Sequence, residues 1–359
     1  MTEGFRLDSR MSSLVHHFAD LHPDDVSTRD VASQLEESDS PRTDLAIEAH
    51  ELATRNSFPS GVEVSTEDFE GGIHVSRVHV RTEKGAKAIG KKKGRYVTFE
   101  VPGLRRRDPD LQQSVAERFG KEIEDFLNLG PDSSVLVVGL GNSSVTPDSL
   151  GPSVVKQLFV TRHLFRYMPE VLNEGCRTVS AVSPGVLGVT GIETGEIVQG
   201  IVEHVKPDAV IAVDALAARA LNRVNTTIQI ADTGIQPGSG VGNRRKALDK
   251  ETLGVPCFAI GVPTVVEAAT IANDSIELVL AQLKQAVPDN AATKIFDHFS
   301  PTEKWQMIRE LLEPIGDNLM VTPKEIDEFI DDIARVVAKG LNFALHPGLS
   351  LDDVDVFTH

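Results

Sequence analysis

Hydrophobic and polar positions along this chain follow two alternating rhythms. Short apolar runs rich in β-branched residues occur at 135–138, 178–182, 209–213, 226–230 and 255–260, several of them closed by glycine or an acidic residue. Runs of this length, bounded by turn residues, predict strands buried on both faces of a sheet. Between them lie stretches with apolar residues at helical spacing. The clearest is 109–128, where Leu111, Val115, Phe119, Ile123, Phe126 and Leu127 share a face; others are 154–165, 195–205 and about 264–284. A short helix is also expected over 215–221. Strands interleaved with helices predict an α/β domain, three-layer α/β/α with a mostly parallel sheet.

The flanks carry a different pattern. Residues 61–65 and 73–80 read as strands around the turn-forming Glu70-Gly71-Gly72, and 95–100 alternates as a third, giving a β-rich insertion at about 60–105. Leu45, Ala49 and Leu52 mark a helix over 45–53. Two more helices are expected at 304–312 and 323–344, the second with Pro323 in its first turn and Thr322 as cap. The first 44 residues are acidic and polar, and lack the apolar surface that would offset the entropy of ordering them. The expected organisation is a tail or removable pro-segment over 1–44, then a single α/β domain over 45–359 with its core at about 109–285 and C-terminal helices at about 302–345.

Composition narrows the function classes. At 359 residues, 40% hydrophobic and 25% charged, the chain is large enough for such a core. A formal net charge of −17 argues against direct binding to nucleic-acid phosphates. No apolar run approaches the roughly 20 residues that span a bilayer, and no secretory signal pattern opens the chain, so no membrane partner and a cytoplasmic location are expected. Cys176 and Cys257 have neither metal-ligand spacing nor a nucleophile's setting, and read as small core residues in a reducing compartment.

Chemistry is expected beyond the carboxyl ends of parallel strands. There, Gly139-Leu140-Gly141-Asn142 opens a polar loop that delivers Asp148 to the next helix, and the strand over 209–213 ends in Asp214. Each acid alone also suits a helix N-cap. Together, on one rim, two close carboxylates share a proton. The ionised member can activate water while the protonated one polarises a carbonyl or protonates a leaving amine, which is amide hydrolysis without a metal or a covalent intermediate, and no cofactor is expected. A wider separation would suit a metal, with His163 as a further ligand, but no His-x-x-x-His cluster supports one. Gly139-x-Gly141 lacks the third glycine of a dinucleotide fingerprint, Ser144 standing in its place. Gly238-Ser239-Gly240 has the wrong spacing for a serine nucleophile. A non-catalytic nucleotide-binding protein using the glycine loops as phosphate nests is the alternative from another class.

Several separate stretches carry a resemblance. Residues 40–48 (Ser-Pro-Arg-Thr-Asp-Leu-Ala-Ile-Glu), 90–100, 137–152, 183–195, 212–219 (Ala-Val-Asp-Ala-Leu-Ala-Ala-Arg), 232–246 and 318–325 resemble the germination protease, or spore protease, family of spore-forming Firmicutes. The resemblance implies an atypical aspartic peptidase, related to hydrogenase-maturation endopeptidases, that degrades small acid-soluble spore proteins during germination. It also implies a homotetrameric zymogen of the forespore that removes its own N-terminal segment. The family's catalytic aspartates fall on Asp148 and Asp214. The region before residue 40 is longer than the family's usual pro-segment, and the connection at 288–301 is shorter than in some relatives. A metal-guided endopeptidase of the hydrogenase-maturation type is the alternative among hydrolases.

Family substrates carry Thr or Ser, an acid, a large apolar residue, Ala, a free position and Glu, and are cut after the first acid. Thr43-Asp44-Leu45-Ala46-Ile47-Glu48 fits this pattern, so processing is expected between Asp44 and Leu45. A cleft that accepts acids on both sides of the cut needs positive charge. The candidates are Lys91, Lys92 and Lys93, and Arg244 and Arg245 with the adjoining Lys246. Charge reversal at Arg244 and Arg245 is expected to raise KM for an acid-flanked peptide in steady-state assays; unchanged kinetics would remove them from the cleft.

Overall fold

The computed structural model describes residues 43–54, 59–172, 175–238, 246–286, 300–312 and 319–349. The chain opens with helix α1 (Ala46–Thr54), strands β1 (Val62–Phe69) and β2 (Ile73–Val80), helix α2 (Glu83–Ile89), strand β3 (Gly94–Glu100) and helix α3 (Pro109–Leu127). Strand β4 (Ser134–Gly139) leads to helices α4 (Leu150–Val155) and α5 (Arg162–Tyr167), then to β5 (Thr178–Val182), α6 (Leu187–Thr190) and α7 (Thr194–Val205). Next come β6 (Ala209–Ala218), β7 (Thr227–Ala231), α8 (Lys250–Leu253) and β8 (Cys257–Glu267). Helices α9 (Ala268–Ala286) and α10 (Pro301–Leu312), strand β9 (Met320–Val321) and helix α11 (Ile326–Leu345) follow.

The nine strands form one sheet in the order β1-β2-β3-β7-β8-β6-β4-β5, with β9 on β8. The half β8-β6-β4-β5 is parallel. Strands β1, β2, β3 and β7 extend it as antiparallel neighbours, and β7 meets β8 antiparallel. The sheet is therefore mixed, and its parallel half carries both acid-bearing segments. Burial on two faces follows the strand period of two. Val135 and Val137 pack with α3, α4 and α11 in one core, whereas Leu136 and Val138 pack with Val198 and Val202 of α7 in another. A third cluster beneath α1 and α2 joins Leu45, Ala46, Val78, Val80, Ile89, Tyr96, Leu216 and Ala218.

Several boundaries differ from the sequence pattern. Residues 215–218 continue β6 rather than starting a helix, because their backbone pairs with β8 through a bulge between Leu216 and Ala217. Asp214 thus lies inside a strand and not at its end. Residues 264–267 likewise stay in β8, and the helix begins at Ala268. The expected helix over 154–165 divides into α4 and α5. Between them the buried Thr161 hydroxyl donates to the Arg177 carbonyl at 2.5 Å and accepts the Val179 N–H at 2.9 Å, tying the chain to β5. Helix α11 starts at Ile326, and the Thr322 hydroxyl donates to the Thr264 carbonyl at 2.9 Å instead of capping it. Helix α2 was not signalled by apolar spacing, although Thr82 caps it and Gly90 closes it in the left-handed conformation.

Phe119 of α3 is fully buried and meets Phe99 of β3 edge to face, with ring centroids 5.6 Å apart. Truncating a buried aromatic removes its burial energy and leaves a cavity. Phe119→Ala is expected to cost about 3–5 kcal/mol, read as a lowered urea unfolding midpoint.

Candidate active site

The loop after β4 closes on itself. The Asn142 N–H donates to both the carbonyl and the Oδ2 of Asp148, the latter at 2.8 Å, while Asn142 Oδ1 accepts the Ser144 N–H. The turn needs Gly141 at φ +107, where a Cβ would lie 2.0 Å from the Asp148 carbonyl oxygen. Two further bonds fix the loop to the sheet: the Leu140 N–H donates to the Val213 carbonyl at 2.8 Å, and the Thr264 hydroxyl of β8 donates to the Pro147 carbonyl at 2.7 Å. Asp148 is thereby held half-buried over β6 and β8 at the end of a short 3-10 turn, Thr146–Asp148.

Asp214 of β6 is 7% exposed, and its Oδ1 accepts the Ala215 N–H at 2.9 Å. Burial raises its pKa well above the ordinary carboxyl value. The negative charges of Asp148 and Asp44 raise it further, against the smaller effect of the Ala215 bond. The structure therefore brings Asp148 and Asp214 into one electrostatic site and adds a third acid, Asp44.

Asp44 reaches this site because residues 43–48 lie along the far end of β6. Its N–H donates to the Ala217 carbonyl at 3.0 Å, and its Oδ2 accepts the Ala217 N–H at 2.9 Å. Its carbonyl accepts from Lys91 Nζ at 2.9 Å and from Gln229 Nε2 at 3.2 Å. Leu45 and Ala46 are fully buried, and the Ala46 N–H donates to Gln229 Oε1 at 2.7 Å. Glu48, 1% exposed, accepts the backbone N–H groups of Arg219 at 2.7 Å and Ala220 at 2.9 Å and faces the Arg223 guanidinium at 3.4 Å. The Thr43 hydroxyl also donates to Glu48. Burial works against charge on Arg223, yet hydrogen bonds to Glu51 and Glu100 leave its pKa raised.

The three lysines of the predicted basic loop diverge. Lys91 donates to the carbonyls of Thr43 and Asp44. Burial lowers its pKa, with Asp44 and Glu48 acting in the opposite direction. Lys92 instead pairs with Asp249 at 2.6 Å, and Lys93 with Glu83 at 2.6 Å. Arg244 and Arg245 lie outside the described residues, as does Ser239. Gln229 and Arg223 were not among the sequence candidates. Nothing in local spacing marks a glutamine within the apolar run of β7, or an arginine after β6, as contacts of a segment about 180 residues away.

Among the described residues no three His, Cys, Asp or Glu side chains are grouped to hold a metal ion; His163 lies on α5. Both cysteines are buried, and burial pushes the Cys257 thiol up to about 12, which suits a core residue rather than a nucleophile. Two surface clefts, one bordered by Arg77, Tyr96 and Glu122 and one by Arg107, Gln112 and Asp332, contain neither aspartate. Among the described residues, no helix is long and apolar enough to cross a membrane.

Comparison with known proteins gives the class, a peptidase. The family model for germination protease matches residues 43–296 and 287–358. A germination protease from Caldanaerobacter subterraneus subsp. tengcongensis is 51% identical over 319 residues, covering 89% of this chain and 98% of the relative. One from Bacillus subtilis is 48% identical over 357 residues, covering 89% and 96%. This chain belongs to the germination protease family and is a protease of germinating spores that acts on protein substrates. Among solved structures, a NiFe hydrogenase maturation protease from Thermococcus kodakarensis covers 61% of this chain and 97% of its own, at 18% identity and a TM-score of 0.31. At that score the likeness carries no argument.

A raised folded-state pKa stabilises fully below the unfolded value and loses that contribution as pH rises through the folded value. The stability of wild type relative to Asp214→Asn is therefore expected to decline as pH rises from about 4 toward neutrality. Chemical unfolding of both full-length chains across pH checks this; parallel curves would mean that Asp214 ionises freely.

Proposed function

We propose that this protein is a self-processing aspartic-type endopeptidase, cut between Asp44 and Leu45, in which Asp148 and Asp214 are the catalytic pair. The observation that carries this reading is the docking of Asp44 on Ala217, three residues beyond Asp214, with its charge felt by Asp214.

Asp214, deeply buried beside two other acids, keeps the shared proton. Asp148, whose Oδ2 accepts the Asn142 N–H, is the ionised member and draws a proton from the attacking water. Asp214 then supplies its proton to the departing amine. Residues 1–44 form the pro-segment in this scheme. The substrate pattern corresponds to the contacts of residues 43–48. The acid before the cut is read by the Ala217 N–H, the large apolar residue by the pocket of Val78, Val80 and Leu216, and the final Glu by Arg219 N–H, Ala220 N–H and Arg223. Small acid-soluble spore proteins, which carry the same pattern, use these contacts once residues 43–48 leave them. The family resemblance supports a homotetramer and action in the spore core.

N-terminal sequencing of the processed form is expected to begin at Leu45. With the 45–359 chain and an acid-soluble spore protein as substrate, Asp148→Asn and Asp214→Asn are each expected to lower kcat by about 100- to 10,000-fold with folding intact. Full activity in either variant would remove that residue from the mechanism.

A further inference from the structure

We propose that Lys91 and Gln229 polarise the scissile carbonyl during self-cleavage, leaving the acid pair to manage the water and the departing amine. The inference rests on the reading that the chain is cut between Asp44 and Leu45.

Two donors from separate elements converge on one oxygen. Lys91 Nζ donates to the Asp44 carbonyl at 2.9 Å, and Gln229 Nε2 donates to the same atom at 3.2 Å. Both donors are held in place by further contacts. The Gln229 Oε1 accepts the Ala46 N–H at 2.7 Å, so the other end of that amide must present its N–H groups to Asp44. Lys91 follows directly on the left-handed Gly90 that closes α2, and its own N–H donates to the Ala86 carbonyl at 3.1 Å. A second bond from Nζ to the Thr43 carbonyl at 3.0 Å holds the ammonium across the peptide preceding the cut. Lys92 and Lys93, paired with acids elsewhere, do not duplicate it.

Donors fixed before reaction at the oxygen where charge develops stabilise the transition state more than the ground state. A cationic donor gains most, since its bond strengthens as the oxygen becomes anionic. The water oxygen bonds to the Asp44 carbonyl carbon while one water proton passes to the ionised carboxylate. The carbonyl π pair moves to the oxygen, where Lys91 and Gln229 hold it. The pair returns as the bond to the Leu45 nitrogen breaks, and the protonated carboxyl gives its proton to that nitrogen. One water is consumed, one acid and one amine are formed, and the two carboxyl groups still hold one proton between them.

The test is single-turnover self-processing of the full chain, comparing wild type with Lys91→Met, Lys91→Arg and Gln229→Met. Hydrogen exchange of the Leu45 and Ala46 amides serves as the measure of docking. Lys91→Met is expected to slow processing by about 100-fold or more while exchange protection stays at the wild-type level. Lys91→Arg, which retains the charge, is expected to recover at least part of the rate, and Gln229→Met to lose about tenfold. Three outcomes overturn the assignment: processing of Lys91→Met at the wild-type rate, a rate loss matched by loss of amide protection, or no recovery in a protected Lys91→Arg chain. The second would make Lys91 an anchor for the segment. N-terminal sequencing separates the two levels, because a wild-type cut away from Asp44 fails the reading of the site itself, whereas a cut after Asp44 at full rate in Lys91→Met fails this assignment alone.

Discussion

Burying a carboxyl group in a protein interior leaves two remedies: provide hydrogen-bond donors and a cation, or keep a proton on it. Glu48 has the first remedy, in two backbone N–H groups at the end of β6 and the Arg223 guanidinium. Burial and its neighbours push Asp214 toward the second, raising its pKa. The charges acting on it, from Asp148 and Asp44, are both negative, and its Oδ1 has the adjacent Ala215 N–H. Glu48 on α1 and Asp214 on β6 are thus accommodated in opposite ways, the first by backbone groups just past the end of β6 and the second within the strand itself.

The remaining architecture serves to keep those environments distinct. The β4 loop can return Asp148 toward β6 only because Gly141 takes a backbone conformation that a side chain would block. Thr264, at the irregular part of β8, ties the same loop down. Strand β6 stays paired with β8 beyond the bulge between Leu216 and Ala217, and it is Ala217, next to that bulge, whose N–H and carbonyl also bond Asp44, so the irregular segment of the sheet is also where residues 43–48 find partners. The antiparallel extension β1-β2-β3 supplies Val78, Val80 and Tyr96 as the apolar wall around Leu45, and α2 sets Lys91 against that segment. The additions to the parallel core thus form the contacts that hold the peptide segment.

Under the function proposed above, a protease that carries its own target pattern meets a simple constraint: whatever recognises the pattern in a substrate also recognises it in the chain. On that proposal the contacts of residues 43–48 with β6, Gln229, Lys91 and Arg223 stand in for those of a bound peptide. The shared pattern makes these contacts a guide to substrate recognition.

The sequence by itself determined the alternation of strands and helices, both core faces of β4, the span of α3, and Asp148 and Asp214 as the acids to watch. Each of these follows from local periodicity or from an acid placed after a short apolar run. Tertiary structure alone decided the rest. Ala215 to Ala218 are good helix formers, yet they remain in a strand because β8 and Asp44 offer their backbone better partners. The break at Thr161 depends on β5, which a helical period cannot register. Lys91 is distinguished from Lys92 and Lys93 only by where the close of α2 directs it, and Gln229 and Arg223 acquire their roles from a segment remote in sequence. Local pattern encodes what a residue can bury; which distant groups it meets is settled when the sheet brings them together.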